Sequence, residues 1–271
     1  MNLRGAFVAA LATALAFRAG AQEAERAPFI TTPQDVVERM LGLAGAGPAD
    51  LVVDLGSGDG RIVIAAARVF GARGLGIELN PTLVEKSRDN ARAAGVAERV
   101  SFVNGDVLLA DISQASVVTV YLLPGLINQL RPRFIGELRP GTRIVSHAFT
   151  MAGWKPDRSE TVRLAQRHQG QGDQSTLFLW VVPAKARGRW LGSSAAGDLR
   201  LTVHQNFQEI EVELERGGGR PLPAKQASLS GRDISWETQD LRFNGRVEGS
   251  RMAGELIQDG RKTPLTLERD R

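Results

Sequence analysis

The 271-residue chain contains no cysteine. That excludes disulfides, thiolate metal sites and any mechanism built on a thiol nucleophile. It leaves the compartment open, because such a chain folds equally well in oxidising or reducing surroundings. Lysine is scarce as well, five of the 34 basic residues. The arginines are scattered rather than gathered into a stripe or arm. The net charge of +4 and the pI near 9.9 therefore read as arginine-rich composition, and a nucleic-acid partner is not expected. No metal site is expected either, since the candidate histidine has no ligand-type neighbours.

Long apolar runs are also missing. The longest is in the leader, Met1 to Ala21, where Gly5 to Phe17 falls well short of the ~20 residues of a membrane-spanning helix. Arg4 supplies a positive start and Ala19-Gly20-Ala21 a small-x-small cleavage site. The expectation is a signal peptide at 1–21, an exported or periplasmic mature chain beginning at Gln22, and no integral span in it. The alternatives are an uncleaved amphipathic tether or a misassigned start codon, which leave a membrane-tethered or cytoplasmic protein.

What is present alternates. Thr32 suits a helix N-cap and Pro33 a first helical position, with Val36, Val37, Met40, Leu41 and Leu43 as the apolar face. Strand patterns at Leu51–Leu55, Gly74–Leu79, Val100–Val103, Ser116–Leu122 and Arg143–Ser146 enclose helical patterns at Ile62–Phe70, Pro81–Ala94 and Leu126–Leu138. Two β-like runs follow, Thr161–Gln166 and Ser175–Val182. This order predicts an α/β, doubly wound, Rossmann-like sheet ending in an antiparallel hairpin, a domain over 28–184. After a linker at Lys185–Arg189 the helical period is lost. Ile210, Val212 and Leu214 alternate with Glu209, Glu211 and Glu213, and apolar-x-Gly recurs at Leu229, Phe243 and Met252. Residues 190–271 are expected to form a small all-β sandwich or barrel that folds on its own.

The chemistry-bearing string is Val52-Val53-Asp54-Leu55-Gly56-Ser57-Gly58-Asp59-Gly60-Arg61, a strand running into a glycine turn that opens a helix. The spacing is G-x-G-x-G, whereas a nicotinamide fingerprint is G-x-G-x-x-G with pyrophosphate on the helix end. An acid, Asp54, sits two residues before Gly56. That suits a ligand without phosphate but with positive charge, namely S-adenosylmethionine (AdoMet), which carries a sulfonium and an ammonium. A vestigial Rossmann-like turn is the alternative. Glu78, closing the second strand before Asn80, can accept both ribose hydroxyls, although a surface glutamate would look the same. Asp106, after the third strand, is placed for the adenine amino group with Val107 packing nearby, or simply makes an Asx turn or N-cap. The three acids fall in order, one βα unit apart.

Tyr121, Leu122 and Pro124 follow the fourth strand and are expected on the acceptor side; Tyr121 suits core and lining equally. They do not form the Asn/Asp-Pro-Pro-aromatic tetrapeptide used on planar nitrogens. In-line displacement at a methyl on positive sulfur needs alignment above all. An amine acceptor need only lose its proton, lysine's ordinary pKa being about 10.4. His147 is a candidate helper for that step, or a packed structural histidine.

From about Phe29 to Val182 the chain resembles the small lysine methyltransferases that modify the c-type rotor protein of mitochondrial ATP synthase and the adenine nucleotide translocase, with their bacterial relatives. The strings that carry this are Pro28-Phe29, DLGSGDGRIVIAAAR from Asp54, ELNPTLVEKSR from Glu78, VYLLP from Val120, ELRPGTRIVS from Glu137, and Trp154-Lys155-Pro156. The resemblance implies a seven-stranded methyltransferase sheet, AdoMet held by Asp54, Gly56, Gly58, Glu78 and Asp106 (with Ser57, Gly60, Asn80 and Val107 beside them), and a lysine acceptor on a protein, membrane-associated ones included. Two features depart from the family: the signal-like leader and the C-terminal β region. Two other functions compete. One is methylation of a small molecule or RNA, and the other is an exported, non-enzymatic binding protein that keeps the AdoMet fold.

Overall fold

The computed structural model describes residues 30–168, 172–194 and 197–270. The expected signal peptide at 1–21 and the Pro28-Phe29 pair lie outside them. The first layer runs α1 (Gln34–Leu43), β1 (Leu51–Leu55), α2 (Arg61–Phe70), β2 (Arg73–Glu78), α3 (Pro81–Ala93), β3 (Val100–Asn104), β4 (Val117–Val120), α4 (Pro124–Glu137), β5 (Arg143–His147), β6 (Arg158–His168) and β7 (Gly172–Val181). The strands form one sheet in the order β3-β2-β1-β4-β5-β7-β6. β1 to β5 pair in parallel, and β7 runs antiparallel to both β5 and β6. The strand order reverses between β1 and β4, and the glycine turn sits at that switch point, where α/β sheets hold their ligands.

Strands β1, β4 and β5 are almost wholly buried because helices cover both faces. One core packs α1, α2 and α3 on the sheet through Val36, Met40, Val63 and Phe102. The other packs α4 through Ile127, Leu130 and Phe134 against Leu55, Val118 and Ile144. β4 is shorter than the expected Ser116–Leu122 run and β6 longer than Thr161–Gln166, and the starts of α1 and α4 also differ from expectation. Pro33, not Thr32, is the residue before α1, and Thr32 makes no cap because its hydroxyl lies 3.2 Å from the His147 ring. Helix α4 begins at Pro124, a first-turn proline whose missing N–H costs nothing there.

Beyond residue 187 come β8 (Gly188–Ser194), β9 (Gly197–Asn206), β10 (Glu209–Arg216), β11 (Leu222–Pro223), β12 (Gln226–Ser230), β13 (Asp233–Glu237), β14 (Leu241–Glu248), β15 (Arg251–Gln258) and β16 (Arg261–Arg269). They make a second, antiparallel sheet ordered β11-β10-β9-β8-β16-β15-β14-β13-β12. Its edge strands β11 and β12 are consecutive segments, joined by Ala224 and Lys225, which donate to Val212 O and Glu237 O, so the sheet curls round into a partly open barrel. Trp190, Trp236, Phe243, Met252 and Leu267 fill its interior, forming a core of its own. Two of the recurring glycines, Gly245 and Gly254, are register partners on β14 and β15 where the backbones come close: a Cβ on Gly254 would come within 2.1 Å of Asn244 O. The barrel meets the first sheet at the edge where the parallel strands begin. There Ala184 N–H donates to Gly231 O, and Gly231 packs on Gly141, just before β5.

Candidate active site

The turn after β1 is built by glycines that no other residue replaces. Gly56, Gly58 and Gly60 have φ of 80°, 55° and 82°. A Cβ on Gly60 would fall 2.7 Å from the Phe102 ring and one on Gly56 2.8 Å from Leu122. Gly56 and Ser57 N–H both donate to Ile77 O. Helix α3 holds the turn from behind: Ser87 Oγ donates to Gly58 O at 2.9 Å and Asn90 Nδ2 to Asp59 O at 2.9 Å. These two residues escaped the sequence reading, although Ser87 lies within the ELNPTLVEKSR string. Ser57 Oγ is buried without a hydrogen-bond partner, and its position is close enough to Gly76 that a Cβ there would meet it at 2.6 Å.

Three acids lie at the turn, and a fourth, Asp106, lies beyond β3. Asp54 is buried, with Thr119 Oγ1, its register partner on β4, donating to Oδ1 at 2.7 Å. Burial pushes its carboxyl up to about 7 against the Thr119 hydrogen bond, and the charges of Glu78 and Asp59 push the same way. Asp59 is held below its ordinary value, because Arg61 outweighs the burial of its carboxylate through two-pronged contacts at 2.9 and 2.6 Å. Arg61 also donates to Thr32 O, tying the segment before α1 to the turn. Glu78 is fixed by two backbone donors, Gly58 N–H to Oε2 and Asn80 N–H to Oε1, both at 2.9 Å. Asn80 uses its side-chain oxygen to cap α3 through Thr82 N–H, so its evident service to the site is through Glu78. Asp106 is exposed; Oδ1 accepts from Leu108 N–H in an Asx turn while Val107 is buried beside it. Arg133 of α4 donates to Val107 O and Ala110 O and pins that turn to the helix.

On the acceptor side the half-exposed Tyr121 lies over His147, ring centroids 4.1 Å apart, and near Phe149 at 6.3 Å. His147 is fully buried, its Nδ1 3.2 Å from Thr32 Oγ1 and its Nε2 2.8 Å from Ser175 Oγ. With both nitrogens engaged under the Tyr121 ring, it is arranged as a support. Leu122 packs on Gly56, and Pro124 is exposed at the start of α4. Ala148, directly after His147, has φ 68°, a conformation uncommon for non-glycine residues.

These residues suit AdoMet. Asp54, Glu78 and Asp59 converge on a glycine-walled turn, and only Asp59 has a guanidinium to balance it. Such a place favours a cation and disfavours a phosphate.

Known proteins point the same way. Residues 54–158 match the profile described as ANTKMT methyltransferase domain. A protein-lysine N-methyltransferase of Saccharolobus islandicus is 39% identical over 156 residues, 57% of this chain and 93% of that protein. The lysine N-methyltransferase of Rattus norvegicus that acts on the c-type protein of ATP synthase is 36% identical over 157 residues, 57% of this chain and 71% of that one. Among solved structures, an RNA methyltransferase from Salinibacter ruber in complex with S-adenosyl-L-homocysteine is 53% identical, covering 56% of this chain and 93% of that chain with a TM-score of 0.51. On fold, on site and on similarity across nearly the full length of a relative, this chain belongs to the ANTKMT methyltransferase family.

Proposed function

We propose that this enzyme transfers a methyl group from AdoMet to the side-chain amine of a lysine on a protein. The observation that carries the reading is the 39% identity running through almost the whole of an archaeal protein-lysine N-methyltransferase. Glu78, already held by two backbone N–H groups, would take the ribose hydroxyls. Asp54 would face the cationic end, directly or through water, while Asp106 and Val107 bound the adenine side. Gly56, Ser57, Gly58 and Gly60 let the backbone come close, and Asn80 keeps Glu78 in place. AdoMet, when bound, supplies a methyl already activated by positive sulfur. The chain's own task is then alignment. Tyr121, stiffened by His147 and flanked by Phe149, is the wall along which the amine would be held. The amine would release its proton to water or a nearby carbonyl.

Two extensions belong to the same proposal. The acceptor is membrane-associated, by similarity to the rat enzyme that acts on ATP synthase; among the described residues no helix of the chain itself is long and apolar enough to cross a membrane. The mature enzyme is exported, by virtue of the 1–21 leader, and intact-mass analysis from the native host tests this: a full-length cytosolic product would refute it. An RNA acceptor is the second reading, favoured by the Salinibacter ruber relative. Tritiated AdoMet, offered with membrane, soluble and RNA fractions of the host, separates the two. Label in methyl-lysine after acid hydrolysis supports the first, and label confined to nucleosides overturns it.

A further inference from the structure

The segment between β5 and β6, residues 148–157, has one end beside Tyr121 and the other against the barrel. At the first end Ala148 N–H donates to Thr176 O at 2.8 Å, and Phe149 follows it next to the Tyr121 ring. Midway, Ala152 N–H donates to Asn128 Oδ1 of α4. At the far end the buried Trp154 lies flat on Phe207, ring centroids 5.2 Å apart and planes 9° apart. Phe207 is the tip of the β9–β10 hairpin, yet it packs into the methyltransferase core rather than the barrel's own. Its φ of 53° is one that a bulky residue rarely adopts, in a turn where glycine or asparagine would sit at ease. The neighbouring Gln208 grips the segment twice: Oε1 accepts from Trp154 Nε1 at 2.8 Å and Nε2 donates to Lys155 O at 2.6 Å. Lys155 and Glu209 add an ion pair at 3.5 Å. The hairpin tip is itself held, since Gln205 donates to both Phe207 O and Ala184 O and accepts from Ala186 and Arg187 N–H.

From this geometry we infer that Phe207 and Gln208 are positioning residues: through segment 148–157 the barrel sets the acceptor side of the active site, and has no part in holding the cofactor. The inference rests on the methyl-transfer reading above. The glycine turn joins β1 to α2, Glu78 ends β2 and Asp106 follows β3, and the hairpin touches none of these through the contacts above. The archaeal relative has little length beyond the aligned part in which to hold a second domain, so the chemistry as such does not require a barrel. What the barrel adds is a fixed setting of the wall that the acceptor meets. Simple adhesion between the domains predicts a different result, a loss of stability with no selective effect on the acceptor.

The test uses the full chain. Phe207→Gly keeps the positive φ and removes the ring; Gln208→Leu keeps the size and removes both hydrogen bonds; Phe207→Tyr keeps the stack. Calorimetry reads the AdoMet Kd, steady-state transfer to a lysine-containing acceptor fraction reads kcat and KM, and amide exchange reads residues 148–154. The expected outcome for the glycine and leucine variants is an AdoMet Kd unchanged within about twofold and an acceptor kcat/KM reduced about tenfold, with faster exchange in 148–154. Phe207→Tyr should match the wild type. Wild-type acceptor kinetics in both variants, or parallel losses of cofactor affinity and transfer, would overturn the inference. If the wild type labels no protein lysine, the functional proposal fails instead. Exchange then decides the inference: unchanged protection of 148–154 in both variants overturns it and selective loss upholds it.

Discussion

Asp54→Asn separates what the buried acid does for stability from what it does for the cofactor. In the protein without cofactor, burial raises the Asp54 carboxyl from 3.8 to about 7. Between those values the folded state keeps a proton that the unfolded chain has released, so stability falls as pH rises through this window. The full penalty is reached above about pH 7. About three pKa units at 1.36 kcal/mol each come to roughly 4 kcal/mol. Asparagine has the same shape, and its side-chain oxygen can still accept from Thr119. The variant should therefore be more stable than the wild type at pH 8, by up to about 4 kcal/mol, and no more stable at pH 4. Its affinity for AdoMet should fall by about tenfold or more, because a charge-assisted partner is lost. In the wild type AdoMet should bind about tenfold more weakly at pH 6 than at pH 8 and should displace a proton at pH 6, since the ligand's positive charge favours the ionised acid. Urea unfolding across pH 4–8 and calorimetry in two buffers of different ionisation enthalpy measure both effects. An Asp54→Asn protein that is less stable at pH 8, or keeps the wild-type pH slope, would refute the reasoning.

Four further outcomes are expected. Glu78→Ala should weaken AdoMet binding by about 1.5–3 kcal/mol in calorimetry, and unchanged affinity in a folded variant would remove Glu78 from the site. Gly60→Ala should cost at least about 2 kcal/mol in urea unfolding, because it combines a left-handed φ with a clash on the Phe102 ring; a neutral result would mean the turn has another conformation. His147→Ala should lower stability by about 2–4 kcal/mol by opening a cavity beneath Tyr121, yet lower kcat far less than loss of Asp54 or Glu78 does; a larger kcat loss than theirs would restore His147 as a proton carrier. A chain ending at Ala186 should still bind AdoMet, although Trp154 loses its Gln208 partner, and failure of a soluble truncation to bind would mean that the barrel supports the cofactor half as well.

The alternation of strand and helix, the glycine turn and the three strand-end acids are all local patterns, and the sequence alone determined them. G-x-G-x-G after a buried strand has few backbone solutions, and an acid at the C-terminal end of a parallel strand sits at the sheet's carboxyl edge, where such folds hold their ligands. The loss of helical period after the Lys185–Arg189 linker was as legible, and the short alternating runs beyond it already pointed to an all-β region. The partnerships that put those acids to use were decided by tertiary structure. Thr119 meets Asp54 because β4 lies beside β1 in one register, 65 residues away in the chain. Ser87 and Asn90 support the turn because α3 folds back over it. Thr32 looked like a helix cap from its neighbours and became a partner of His147, since a hydroxyl brought by folding to a buried imidazole is worth more there than at an exposed helix end. Barrel rather than sandwich, and Phe207 packed into the other domain's core, depend on how strands pair at long range. Alternation within a strand states which face is buried; it carries no information about what will cover that face.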